Sequence, residues 1–294
     1  MKTSSPRQKV GALFLASRPV SWINTAFPFA AAYLLTGQQV DAALVVGTLF
    51  FLVPYNLAMY GINDVFDYES DLANPRKGGL EGAILQRSDH RMVLTIAVLS
   101  TVPFIIALVI LGNPLSWLVL AVSLFAVAAY SVPGLRFKER PFLDSITSST
   151  HFVSPAVYGL VLAGATITPQ LLSLLIGFFL WGVASHAFGA VQDVIPDRAG
   201  NIHSIATVMG ARWTVRFAML MWIVAGILML STTWPGPLAA VLVLPYVAAA
   251  FPFRSISDDD SEQANRGWKR FLWINYTVGA FVTMLMISYA MTHT

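Results

Sequence analysis

Long apolar runs alternate with short polar breaks along all 294 residues of the chain. Nine runs stand out: Pro19–Thr36, Ala42–Ile62, Met92–Leu111, Leu115–Val132, Phe142–Ala165, Leu171–Val191, Trp213–Leu230, Leu238–Phe253 and Phe271–Met291. Each holds about 16 to 24 residues, near the ~20 that an α-helix needs to cross ~30 Å of hydrocarbon. The pattern predicts an all-α polytopic membrane protein with nine transmembrane helices. The fifth run is the most polar, because it contains "LDSITSSTHFVSP", and the eighth is short. The connections "GQQVD", "GNP", "TITPQ" and "STTWPGP" are brief enough to make tight antiparallel hairpins.

Charge fixes the orientation. All 18 Lys and Arg fall in the N-terminal segment, in the loops after the second, fourth, sixth and eighth runs or, for Arg216, at the very start of the seventh run beside the loop after the sixth. The remaining loops and the C-terminal tail have none, so the N-terminus is expected in the cytoplasm and the C-terminus outside. Of the 15 acids, only Asp41 falls on the outer side. Composition agrees with a multi-pass protein of the cell membrane, in contact with membrane lipid: 56% of residues are hydrophobic, 11% are charged and the mean hydropathy is +0.66. The basic pI of 9.2 then reports topology, not nucleic-acid binding. The start "MKTSSPRQKV" lacks an apolar region followed by a small-residue cleavage site, so no cleaved signal peptide is expected. With no Cys, disulfides and cysteine-ligated metals are excluded. One domain, residues 1–294, accounts for the chain, with no low-complexity linker.

Two acidic clusters break the pattern. The second run ends in "NDVFDYESD" and the sixth in "QDVIPDRAGN", and their likeness suggests a degenerate internal repeat. Around a continuing helix, Asn63, Asp64, Asp67 and Asp71 fall at about 0°, 100°, 40° and 80°, within one arc. Asp193 and Asp197 lie about 40° apart, and Asn201 follows at about 80° if Pro196 lets the helix continue. Acids at a membrane helix end are expensive unless compensated. Two such faces brought together hold five carboxylates, which cannot all stay ionised without cations. Hard oxygens suit Mg2+, which takes one or two carboxylates together with phosphate oxygens. Arg76 and Lys77 follow the first cluster, and Arg136, Lys138 and Arg140 end the fourth run. These are donors suited to a diphosphate. Acids for metal and bases for phosphate at the cytoplasmic rim of an apolar bundle describe a site for an isoprenyl diphosphate.

Bland readings exist for each piece. A single Arg or Lys at a helix end is usually a topological anchor, and a single Asp there is often just exposed. Most of the 19 Phe, 8 Trp and 10 Met read as membrane packing and interfacial belts. "SISDDDSEQANRGWKR" reads as a solvated loop, because its acids have no helical registration.

The motifs also resemble a known family. "NDVFDYESD" is similar to the NDxxDxxxD motif of the UbiA-type intramembrane prenyltransferases, and "DVIPD" to their second, DxxxD, motif. "SRPVSWINTAFPFAAAYLL" resembles the family's first helix and "YSVPGLRFK" the end of its fourth, in order along the chain. The resemblance implies nine helices around a central cavity, cytoplasmic caps after the second and sixth, and Mg2+-dependent prenyl transfer by ionisation of a diphosphate. It matches Asp64, Asp67 and Asp71, with Asn63, to a first metal site, and Asp193 and Asp197 to a second. Arg136 and Lys138 match the basic pair beside the diphosphate and Tyr130 the tyrosine of that motif. Two departures stand out: Gly134 replaces the second Pro of the fourth-helix motif, with no expected consequence, and Gly200–Asn201 replaces a third acid, which weakens the second metal site.

Within the family, "NDVFDYESDLANPRKGGLEGA" resembles the lycopene elongases of C50 carotenoid biosynthesis. That likeness implies dimethylallyl diphosphate as donor and lycopene as acceptor. A dimethylallyl cation adds to a terminal double bond, and the new tertiary cation loses a proton or captures water. His151 and His186 are candidates for that last step, though a buried His bonded to a neighbouring helix is the plainer reading of each. Asp144 is a candidate partner of Arg136 or Arg140. Transfer to a quinone precursor, a chlorophyll-type alcohol or a glycerol phosphate remains open, as does, in another class, a membrane ion or metabolite transporter.

Overall fold

A computed structural model of the chain describes residues 5–37, 39–73 and 85–293, and these form helices and no strands. In chain order the α-helices are α1 (Pro6–Ala16), α2 (Trp22–Leu35), α3 (Ala42–Leu52), α4 (Pro54–Phe66), α5 (Tyr68–Ala73), α6 (His90–Leu111), α7 (Pro114–Ser131), α8 (Leu143–Leu162), α9 (Pro169–Ala190), α10 (Val194–Ala199), α11 (Ile205–Met209), α12 (Ala211–Met229), α13 (Leu244–Ala250) and α14 (Asn265–His293).

Among the described residues, seven segments are long and apolar enough to cross a membrane: Ala42–Phe66, Arg87–Leu111, Pro114–Ser131, Pro169–Ala199, Ala211–Met229, Gly236–Phe253 and Ser261–His293. They correspond to seven of the nine expected runs. The other two differ for separate reasons. Pro19–Thr36 becomes a turn, Pro19–Ser21, followed by the 14-residue α2. Phe142–Ala165 becomes α8, which has 20 residues but a polar N-terminal half. There Asp144, Ser145, Thr147, Ser149 and His151 are all buried.

The chain divides into two compact units. One comprises Met1–Arg136 and Ser154–Ala165, the other Phe137–Val153 and Thr166–Thr294. The first unit is built on fully buried rings, with Phe29, Phe50, Phe51, Tyr55 and Tyr158 each at 0% exposure. Phe50 and Phe51 lie 4.9 Å apart, and Phe51 and Tyr55 5.1 Å, both edge to face. The second unit has a comparable centre, where Trp222 stacks 5.6 Å from Tyr246 and 6.1 Å from Phe271. Aromatic residues at these positions serve packing, as the plainer sequence reading expected.

The expected single helix Ala42–Ile62 is broken in the first unit. Val53 leaves helical geometry at φ −120° and ψ −60°, and Pro54, which has no N–H, opens α4. Carbonyls freed by the break need new donors in a dry interior. Thr25 Oγ1 donates to the Phe51 carbonyl at 2.7 Å, and Asn56 Nδ2 donates to the same carbonyl at 2.8 Å and to that of Leu52 at 3.1 Å. Asn56 also bonds Thr25 Oγ1 at 2.7 Å. The carbonyls of Phe51 and Leu52 are thereby satisfied from within the unit. The break matters because it begins α4, which carries Asn63 and Asp64.

Candidate active site

In the first unit, α4 ends at Phe66 and Asp67 caps it, its N–H donating to the Asn63 carbonyl at 2.9 Å. Asp67 sits in the bridge region at φ −99° and ψ 0°, a backbone state common at active sites. The six-residue α5 follows and holds Asp71 as its fourth residue. The helix is therefore interrupted at Asp67, within the motif. The side chain of Asp71 lies outside the described residues, as do Arg76 and Lys77 entirely.

The remaining residues of the motif are held by specific partners. Asn63 Nδ2 donates to Asp67 Oδ2 at 2.6 Å and to Ser131 Oγ at 3.0 Å. Both amide hydrogens are thereby engaged, which leaves its carbonyl oxygen as the ligand it can offer. Arg136 Nη2 lies 3.8 Å from Asp67 Oδ1, an ion-pair separation. Asp64 is 1% exposed, and Arg18 Nη2 donates to its Oδ1 at 2.6 Å. The Arg18 guanidinium also lies 5.1 Å over the Tyr60 ring, a cation–π contact. Tyr130 is half-buried in the last turn of α7, beside Ser131.

The second unit repeats this construction. After α9 comes the turn Val191–Asp193, and Asp193 adopts φ −98° and ψ 1°. The six-residue α10 follows with Asp197 as its fourth residue, and both acids are half-buried. Pro196 falls in the first turn of α10, where a missing N–H costs nothing. The helix ends at Ala199, and Asn201 is left-handed with φ 55°, so it does not extend the acidic face. Lys138 lies half-buried in the turn Phe137–Glu139 of this unit, whereas Arg136 belongs to the first.

Several functional-looking contacts escaped the sequence reading. In the sequence Arg18 reads as a topological charge and as part of "SRPVSWINTAFPFAAAYLL", with no role of its own, and its Asp64 partner is too distant in sequence for any spacing rule to reveal. The signal available was its place, before Pro19 at the head of the first expected helix. Asp258, assigned to a solvated loop, instead accepts hydrogen bonds from Arg198 and from the Ala211 N–H, each at 2.7 Å. Its burial favours the neutral acid, but those two bonds outweigh it and hold the carboxyl below its ordinary value. Asp144 accepts from the backbone N–H groups of Ser145 and Ile205, both at 2.7 Å, not from the arginines expected. His186 Nδ1 lies 3.0 Å from Ser145 Oγ and so links α9 to α8, the plainer of its two expected roles. His151 is buried at 3% exposure.

In each unit the acids are of the kind a hard divalent cation takes. Asp64 and Asp67 in the first and Asp193 and Asp197 in the second offer carboxylate oxygens, and Mg2+ needs only one or two of these per ion when phosphate oxygens complete its shell. Among the described residues, no three acid or histidine side chains are grouped closely enough to hold a metal ion by themselves.

Comparison with known proteins extends these observations. The chain is 50% identical over 281 residues to a lycopene elongase/hydratase of Corynebacterium glutamicum, covering 96% of this chain and 98% of that protein. It is 55% identical over 276 residues to the C(50) beta-cyclic carotenoids biosynthesis protein LbtBC of Dietzia sp. (strain CQ4), covering 94% of this chain and 64% of that longer protein. Its fold is similar to a UbiA homolog from Archaeoglobus fulgidus solved with DMAPP and Mg2+, with a TM-score of 0.64, 16% identity, and coverage of 90% of this chain and 98% of that one. The model of the UbiA prenyltransferase family matches residues 25–275, a stretch that takes in both acidic motifs and the basic turn between them. The chain belongs to the UbiA prenyltransferase family.

Proposed function

We propose that this protein transfers a prenyl group, dimethylallyl from its diphosphate, to lycopene in C50 carotenoid biosynthesis. The observation that carries the reading is the repeated break: in each unit an aspartate in the bridge region opens a six-residue helix whose fourth residue is a second aspartate. Two such motifs in a membrane protein, with relatives named for lycopene elongation, support a donor held by its diphosphate and an acceptor held in the lipid phase.

In this reading Asp64, Asp67, Asp71, Asp193 and Asp197 are the metal ligands. Bound Mg2+ would neutralise the diphosphate charge that grows as the allylic C–O bond breaks. Asn63 keeps Asp67 oriented through its bond of 2.6 Å, and Arg18 holds the buried Asp64 through another of 2.6 Å. Arg136, Lys138, Arg76 and Lys77 bind the diphosphate, and Tyr130, the tyrosine of the same motif as Arg136 and Lys138, is a catalytic residue. The C–O electron pair leaves with the diphosphate, and the allylic cation adds to a terminal C=C of the acceptor. The new tertiary cation then loses a proton or captures water. The chain acts as one domain of nine membrane helices, with its N-terminus and acidic motifs on the cytoplasmic side, as the distribution of Lys and Arg supports.

The test uses purified protein in lipid nanodiscs with Mg2+, lycopene and dimethylallyl diphosphate, with extracted pigments analysed by mass. Products heavier by one or two C5 units, absent with EDTA, support the proposal. No extension of lycopene, with diphosphate released on a quinone-precursor or glycerol-phosphate acceptor, rejects lycopene and keeps prenyl transfer. Silence across the panel rejects both.

A further inference from the structure

We propose that the segment from Asp258 to Asn265 is a splint for the second acidic motif, with Asp258 and Asn265 as positioning residues for Asp193 and Asp197. The inference rests on the reading of those two aspartates as metal ligands.

The residue on each flank of the motif is tied to this one segment. Gln192 precedes Asp193, and its Oε1 accepts a short hydrogen bond from Asn265 Nδ2 while its Nε2 donates to the Gly189 carbonyl at 2.9 Å. Arg198 follows Asp197, and its Nη1 donates to Asp258 Oδ2 at 2.7 Å while its Nη2 donates to the Thr207 carbonyl at 2.8 Å. The other oxygen of Asp258 accepts from Ala211 N–H, the first residue of α12, at 2.7 Å. One carboxylate thus joins α10 to α12, and Arg198 adds α11. Gly210 makes the approach possible: its φ is 75°, and a Cβ there would lie 3.1 Å from Asp258 Oδ1.

The motif needs such support. α10 follows α9 directly through the turn Val191–Asp193, and Asp193, at φ −98° and ψ 1°, departs from helical geometry at the join. The contacts on the two flanks of the motif then help to hold α10 in place and so help to set where Asp193 and Asp197 point. Residues that orient metal ligands typically cost about 10- to 100-fold in metal affinity when removed.

The test compares Asp258→Ala, Asp258→Asn, Asp258→Glu and Asn265→Ala, with Asp260→Ala as the control from the same loop, where Asp260 bonds only Ser257 and Gln263. Two readouts are taken in nanodiscs: amide hydrogen exchange over residues 193–209 without substrate, and the Mg2+ concentration that half-saturates prenyl transfer. Asp258→Ala is expected to speed exchange across α10 and α11 and to raise the Mg2+ requirement about tenfold or more. Asp258→Asn keeps an acceptor for Ala211 N–H and falls between, Asp258→Glu recovers part of the loss, and Asp260→Ala changes neither. Asn265→Ala gives an independent version of the same pair of shifts if Asp258→Ala does not fold. Unchanged exchange in both Asp258→Ala and Asn265→Ala overturns the splint. Faster exchange with an unchanged Mg2+ requirement overturns its link to metal and counts against Asp193 and Asp197 as ligands.

Discussion

The Arg18 guanidinium lies 2.6 Å from the Asp64 carboxylate, and the backbone that delivers it is left-handed, at φ 50° and ψ 70°. A non-glycine residue in that region costs about 1–3 kcal/mol and persists only where its surroundings require it. Here the requirement is a pair whose side chains are 14% and 0% exposed. Removing one member of a buried pair typically costs about 3–5 kcal/mol, because the other charge stays behind. Arg18→Ala is therefore expected to lower the thermal stability of the protein strongly, and adding Asp64→Asn to it should restore part of the loss. A double-mutant cycle measured by thermal unfolding in detergent checks this; simple additivity would mean that the pair is not coupled.

Asp67→Ala and Asp193→Ala remove equivalent residues of the two motifs. Each is expected to lower turnover by about 100-fold or more, in line with the loss of charge stabilisation at a leaving group. Both variants should still insert and elute as the wild type does in size-exclusion chromatography. Near-normal turnover in both would remove the acidic motifs from the chemistry.

Gly134 is not the neutral replacement that the sequence suggested. Its φ is 92°, in a region closed to proline, whose ring fixes φ near −65°. Arg136 follows two residues later, also left-handed at φ 38°. Gly134→Pro should displace Arg136 from Asp67 and raise the KM for the diphosphate donor more than it lowers kcat. Steady-state kinetics with varied donor concentration tests this, and an unchanged KM would dissociate the turn from donor binding.

The carboxyl of Asp258 is held below its ordinary value by the Ala211 N–H and the Arg198 guanidinium. A depressed folded-state value means that its contribution to stability is complete above the unfolded value, about 3.9. The contribution disappears as the pH falls through the lower, folded value. The stability difference between wild type and Asp258→Asn should then be constant from neutral pH to about pH 5 and shrink below about pH 4. Melting temperatures of the two proteins across that range measure it; a difference that grows on acidification would reverse the sign.

Much of this architecture was legible in the apolar pattern, because seven of the nine expected runs correspond to segments long and apolar enough to span a bilayer. Hydropathy sees length and composition, so it marked Ala42–Ile62 as one span and could not see the break at Val53 that Thr25 and Asn56 satisfy. Angular extrapolation placed Asn63 and Asp67 on one side, as their bond requires, because they share the last turn of α4. It failed at Asn201, because α10 ends at Ala199 and Asn201 is left-handed, while the side chain of Asp71 lies outside the described residues. The supporting contacts, Arg18 to Asp64, Asp258 to Arg198 and Asn265 to Gln192, join distant parts of the chain. No local pattern encodes such pairs, and Asp258 in particular stands among acids that look alike in sequence.

The polar N-terminal half of α8 has a consequence for how the chain enters the bilayer during synthesis. Ser149 Oγ donates to the Phe179 carbonyl at 2.7 Å, and Ser145 pairs with His186, so these hydroxyls depend on α9, which is made later. Asp144 depends in part on the N–H of Ile205, made later still. Asp144 stands in the first turn of α8, where the helix N-terminus favours a negative charge, so the cost of early insertion falls mainly on the hydroxyls and on the buried His151 further along the helix. A nascent chain ending at Leu162 should therefore leave α8 accessible to protease or extractable by carbonate, whereas a chain extended through Met209 should protect it. Full protection of the shorter chain would mean that α8 inserts without its neighbour. The expected result makes the helices from α8 to α11 a single unit of biogenesis, committed to the membrane only after the second acidic motif has left the ribosome.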